Sequence, residues 1–181
     1  MLELMLLRHA KSDWNDASLK DTDRPLNSRG RSSARIMAAY LHSHSLHPDL
    51  ILCSSAQRTR ETLSRLTNVF QHDFDIVIRK ELYDQHMNGS YTSFIRAEGG
   101  AAKRVMVLAH NPATEETASE LFGTGDEALQ TELQTKFPTA ALAVFEFPID
   151  TWKHLQPGTG TLTRFVKPRD LLAEPDAEGH D

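Results

Sequence analysis

This sequence lacks the features that would place a protein outside the cell, across a membrane or on a nucleic acid. It has one cysteine, Cys53, so no disulfide can form within the chain, which suits a reducing compartment. Cys53 closes an apolar run and reads as a small core residue rather than a nucleophile. No apolar run approaches the ~20 residues that a membrane span needs. The run near the N-terminus is broken by Glu3 and ends at Arg8, too short for the core of a signal peptide. The expectation is therefore a cytoplasmic protein with no membrane association. An excess of positive charge is missing too. The formal charge of −5 argues against a nucleic-acid binder, which would carry a basic face. It leaves room for a local basic pocket that holds an anion. Finally, His42, His44 and His47 lack a carboxylate or cysteine partner at metal-binding spacing, so they read as a solvated helix end. No metal and no cofactor are expected.

The chain of 181 residues is 39% hydrophobic and 25% charged, as in a soluble globular protein and most simply one domain over residues 1–172. The acidic stretch 173–181 carries no core residues and is expected to be a mobile tail. Apolar runs at 2–8, 50–53 and 105–109 read as buried strands. Residues 75–78 form a weaker one. Thr139–Phe147 and Thr161–Val166 read as two more, paired across a turn near Pro157-Gly158. Helical patterns lie between them. One runs from a cap at Asn27 or Ser28 to about Ser45, with Ala34, Met37, Ala38 and Leu41 on its buried face. A second follows Ser54, with Gln57 at capping-box spacing, and reaches about Phe70. Tyr91–Ala97 is a possible helix. Another should start at Asn111-Pro112 and reach about Phe122. Residues 10–26 and 80–90 read as loops. Strands alternating with helices predict an α/β three-layer sandwich with a mainly parallel central sheet flanked by helices.

Three of the best strands end in related chemistry: Arg8-His9, then Ser54 with Arg58, then His110-Asn111. In a parallel sheet these ends share one edge, where open α/β sheets bind ligands. Arg58 falls in the first turn of its helix, where the helix dipole disfavours a cation. An anion bound between the guanidinium and the helix start would reverse that penalty. Two planar guanidiniums suit phosphate oxygens. Imidazole can act as nucleophile or as donor near neutral pH. The residues thus point to a pocket for a phosphoryl group.

Leu7-Arg8-His9-Ala10 resembles the Arg-His-Gly signature of the histidine phosphatase superfamily, with its phosphoglycerate mutase-like fold. Ser54, Arg58 and Thr62 resemble its second motif and His110-Asn111-Pro112 its third; Ala10 stands where glycine is usual. Arg8-His9-Ala10-Lys11-Ser12-Asp13-Trp14, Asp21-Thr22-Asp23-Arg24-Pro25-Leu26 and the short chain are similar to the small SixA-like phosphohistidine phosphatases. The resemblance implies that His9 is the nucleophile, that Arg8, Arg58 and His110 hold the phosphoryl group, and that Asn15 and Asn111 lie near it. It implies a phosphorylated protein or a small phosphorylated molecule as substrate. For the general acid, Asp84 and Asp21 are candidates, each equally readable as an exposed loop carboxylate.

Overall fold

The structure, a computed structural model, describes residues 1–172. The acidic tail at 173–181 lies outside the described residues. Seven strands form one sheet: β1 (Leu2–Arg8), β2 (Leu50–Ser54), β3 (Asp75–Arg79), β4 (Arg104–Ala109), β5 (Phe122–Gly125), β6 (Leu142–Phe147) and β7 (Gly160–Val166). Their order is β3-β2-β4-β1-β6-β7-β5. Neighbours pair in parallel except at β6, which runs against both β1 and β7. The mainly parallel α/β sheet expected from the sequence is therefore present.

The two-residue period of a strand explains the uninterrupted apolar runs. Leu4 and Leu6 of β1 and Val105 and Val107 of β4 face one layer. Met5, Leu7, Met106 and Leu108 face the other. A strand covered on both faces needs apolar residues at every position. Helices α1 (Ser28–Ser43) and α2 (Gln57–Thr67) cover the second face, and Ala34, Met37, Ala38 and Leu41 of α1 are buried there. The opposite layer holds α3 (Glu81–Asp84), α4 (Thr92–Glu98), α5 (Ala113–Leu121) and α6 (Glu127–Thr135). A last short helix, α7 (Pro168–Leu172), follows β7. Among the described residues, no helix is long and apolar enough to cross a membrane.

Several local expectations shift. The second helix ends at Thr67 rather than near Phe70, and the loop at 80–90 contains α3. Helix α5 begins at Ala113, one residue after Pro112. The capping box at Ser54 does not form: Ser54 ends β2, and α2 starts after Ala56 without a side-chain cap. The segment 123–138, where the sequence carries no clear helix or strand pattern, contains part of β5 and all of α6. The Phe-Gly-Thr-Gly sequence of β5 reads as a turn because its glycines carry no strand signal. Gly123 is needed where it stands: a Cβ there would lie 2.4 Å from the Gly158 carbonyl oxygen. Helix α6 did leave a mark in the sequence. Asp126 caps it by accepting from the Ala128 and Leu129 N–H groups, and Leu129 and Leu133 share its apolar face.

Candidate active site

The carboxyl ends of β1, β2 and β4 meet as their order requires, β1 and β2 lying on either side of β4. A cavity of about 460 Å³ opens there, lined by Arg8, His9, Arg58, His110, Asn111 and Asp21 among others. The reversed β6 also serves this edge. Because it runs antiparallel, its N-terminal approach passes the ends of the other strands. Arg8 Nη1 donates to the Phe137 carbonyl at 3.0 Å, and Asn111 Nδ2 donates to the same oxygen at 3.0 Å.

His9 is held by its own backbone. Its Nδ1 lies 2.6 Å from the Ala10 carbonyl oxygen. A carbonyl only accepts, so the proton of the neutral ring sits on Nδ1 and Nε2 keeps its lone pair. Burial above all, with the charges of Arg58 and Arg8, outweighs the raising effect of that carbonyl and pushes the His9 pKa down to about 3. The ring is therefore neutral at ordinary pH. The backbone beneath it is tied to α2: the Ala10 N–H donates to Thr62 Oγ1 at 3.1 Å, and that hydroxyl donates to the Arg58 carbonyl. Alpha-helix α1 presses on the other side. Its first turn brings Gly30 so close to Lys11 that a Cβ would lie 2.0 Å from the Lys11 carbonyl oxygen.

The His110 ring stands 5.2 Å from that of His9. The Ala56 N–H donates to Ser54 Oγ, and that hydroxyl lies 2.7 Å from His110 Nε2. With Ser54 donating, the His110 proton resides on Nδ1. Burial, reinforced by His9 and Arg58, lowers the His110 pKa to about 2. Among the described residues its buried Nδ1 has no partner, and neither do Nε of Arg8 and Nε of Arg58. An unmet buried donor costs roughly 1–3 kcal/mol. The two arginine donors, joined by His110 Nδ1 when Ser54 donates to Nε2, suit an anion that would accept from them.

Asp21 is drawn into the site by cations. Arg58 Nη2 contacts its Oδ2 at 3.1 Å, Arg24 its Oδ1 at 2.9 Å, and the Tyr83 hydroxyl donates to Oδ2 at 2.7 Å. Partial burial would raise its pKa, but Tyr83, Arg58 and Arg24 together hold it well below the usual carboxylate range. Part of the counter-charge expected at Arg58 from a bound anion is thus supplied by the chain itself. Arg24 also donates to Ser12 Oγ, and its guanidinium lies 3.5 Å over the exposed Trp14 ring. Arg8, Lys11, Arg24, Arg58 and Lys136 line the cavity against Asp21, the one carboxylate on its wall among the described residues. The arrangement can bind a phosphoryl group, present it to an unprotonated imidazole nitrogen and stabilise charge on its equatorial oxygens.

The structure therefore brings Arg8, His9, Arg58, His110, Asn111 and Asp21 together. Asn111 has its amide committed on both sides, because its Oδ1 also accepts from the Glu115 N–H. Asn15 is exposed, its N–H turned to Asp13 Oδ1, and it does not line the cavity. Asp84 is likewise off the cavity wall, with its carboxylate 3.8 Å from Lys80 Nζ. Cys53 is buried in the core, and burial pushes its thiol up to about 12. Sequence reasoning missed Arg24, Tyr83 and His86. Arg24 lay within a segment already singled out, but its role depends on a loop conformation. His86 had no local signal. Its ring lies 5.4 Å from that of His110.

Comparison with known proteins adds a second line of observation. The sequence model described as "Histidine phosphatase superfamily (branch 1)" matches residues 4–92. An uncharacterized protein of Mycobacterium tuberculosis is 32% identical over 166 residues, covering 90% of this chain and 100% of that protein. An uncharacterized chloroplastic protein of Arabidopsis thaliana is 36% identical over 135 residues, 66% of this chain but only 59% of the relative's length. A solved structure described as the "putative phosphohistidine phosphatase SixA" of Agrobacterium tumefaciens is similar with a TM-score of 0.76 and 33% identity, covering 92% of this chain and 97% of its own.

Proposed function

Because this chain belongs to the histidine phosphatase superfamily, we propose that it hydrolyses phosphohistidine on a protein through a covalent intermediate on His9. In this reading His9 Nε2 attacks phosphorus in line with the leaving group. Arg8, Arg58 and His110 Nδ1–H meet the equatorial oxygens. Water then attacks the phosphorylated His9, releasing phosphate and restoring the neutral ring. No metal takes part: the positive charge is that of the guanidiniums and lysines.

The observation that carries the substrate class is the state of Asp21. An alkyl ester must lose an alkoxide, which calls for an acid to protonate it. The cavity's one carboxylate is ionised and engaged by two guanidiniums and a phenol. A phosphohistidine loses an imidazole, which an imidazole side chain can protonate near neutral pH, so the site can do without a carboxylic acid. The exposed Trp14 and Lys11 at the cavity leave it accessible to a side chain projecting from a protein.

The test is a brief incubation with ³²P-labelled phosphohistidine peptide, followed by a denaturing quench. Acid-labile label should appear on the wild type and be absent from His9→Ala, with turnover reduced by roughly 10⁴-fold or more, as when a nucleophile is removed. The kcat/KM for the peptide should exceed that for a sugar phosphate. A sugar phosphate that is the better substrate, with Asp21 or Asp84 indispensable, would make this an ester phosphatase or mutase. Binding without turnover would make it a phosphoprotein-binding module.

A further inference from the structure

We infer that His86 is the catalytic acid and base of this site, delivering a proton to the leaving imidazole and recovering it from the attacking water. The inference rests on the phosphatase reading above and names a residue which that reading does not use.

Several groups at the site cannot do this work. Asp21 is ionised and bound by Arg24, Arg58 and Tyr83. His9 is the attacking group. His110 is neutral, since burial depresses its pKa, and its Nε2 is paired with Ser54. Asp84 is turned to Lys80, off the cavity wall. The remaining titrating side chain on that wall, apart from the lysines, is His86, and imidazole is the side chain that exchanges protons most readily near neutrality.

Its placement is specific. The His86 Nδ1 is hydrogen-bonded to the Tyr83 carbonyl, so Nδ1 carries a proton and the exchangeable position is Nε2. Its own carbonyl accepts from the Ala113 N–H at 3.0 Å, which anchors the residue on the first turn of α5, next to His110. Thus His110 has the nucleophile's ring at 5.2 Å and the His86 ring at 5.4 Å. The charged and titrating groups around His86 are His110 from the end of β4, Tyr83 from α3, Arg58 and Asp21 beside Tyr83, and the lysines of the cavity.

Protonated His86 gives its Nε2 proton to the free ring nitrogen of the substrate phosphohistidine. The bond from phosphorus to the substrate nitrogen breaks while the bond to His9 Nε2 forms, and a neutral imidazole leaves. Neutral His86 then takes a proton from water as its oxygen attacks phosphorus. The bond to His9 breaks, phosphate departs and His86 is protonated again.

The experiment compares wild type and His86→Asn on a phosphohistidine peptide and on p-nitrophenyl phosphate, whose leaving group departs without a proton. Asparagine keeps a donor for the Tyr83 carbonyl and removes the exchangeable nitrogen. The kcat/KM for the peptide should fall by about 10²-fold, as for loss of a positioned acid. The fall on p-nitrophenyl phosphate should be less than about tenfold. Equal losses on both substrates would overturn the role of His86. Absence of acid-labile label on wild-type His9 would instead overturn the phosphatase reading beneath it.

Discussion

The two ends of the same strands have been put to opposite uses. At the carboxyl end, Arg8, Arg58 and His110 each keep a buried nitrogen without a partner. At the amino end a larger cavity, about 590 Å³, is lined by Glu3, Asp49, His72 and Arg104 among others. Arg104 there pairs with Glu3 and donates to the carbonyls of Ser45 and His47. Asp49 accepts from the Lys103 and Arg104 N–H groups and lies 3.7 Å from His72. His47, which also lines that cavity, has an unmet buried Nδ1 among the described residues. Cavity size therefore does not distinguish a site from a seam. What distinguishes them is whether the fold itself answers the charges. Where it does, the groups hold strands together; where it does not, they await a ligand.

Breaking the carboxyl end should have the largest effect. Arg58→Ala should lower kcat/KM by on the order of 10²-fold or more, as for loss of a preorganised donor to developing charge. Arg58→Lys should recover only part of it, since lysine cannot offer two parallel donors. Full recovery in the lysine variant, measured on the same phosphohistidine peptide, would show that charge alone matters there.

Acid should expose the same asymmetry in stability. His9 and His110 ordinarily titrate near 6.5 but are held near 3 and 2 in the fold. Below 6.5 the unfolded chain takes up protons that the folded chain refuses, so stability falls as pH falls. The slope approaches about 1.4 kcal/mol per pH unit for each such histidine. Asp21, also depressed, acts in the same direction at lower pH. Urea unfolding between pH 7 and pH 5 should show this loss, and His110→Gln should reduce it. An unchanged slope in the variant would remove His110 from the account.

The smallest effect belongs to the amino end. Arg104→Ala should leave kcat and KM as they are while lowering stability by about 1–2 kcal/mol, through lost hydrogen bonds and an uncompensated Glu3. A change in kcat would mean that the two ends are coupled through the strands.

How much of this could be read from the sequence follows from where the information is local. Strands β1, β2 and β4 were legible because burial on both faces demands unbroken apolar runs, and Arg8, His9 and His110 stand where those runs stop. The cation in the first turn of α2 was legible because it breaks a helix rule. The partner that answers it was not: Tyr83 and Asp21 are 62 positions apart when they bond, and no spacing rule links them. Ser54 misled for a related reason. Its spacing to Gln57 promised a helix cap, but the hydroxyl's more important partner, His110, lies 56 positions away. β5 was hidden by glycines that exist to let another backbone approach.

The bond from Arg8 to the Phe137 carbonyl spans 129 positions. Loop closure grows costlier with separation, and folds built on distant pairings assemble slowly. The motif that begins the chemistry is therefore synthesised well before the segment that completes it. Until β4 and the approach to β6 have docked, His9 is an ordinary exposed imidazole on an unfinished chain. The protein cannot act on a phosphoryl group before nearly all of it has folded, so its activity is a late reporter of its own assembly.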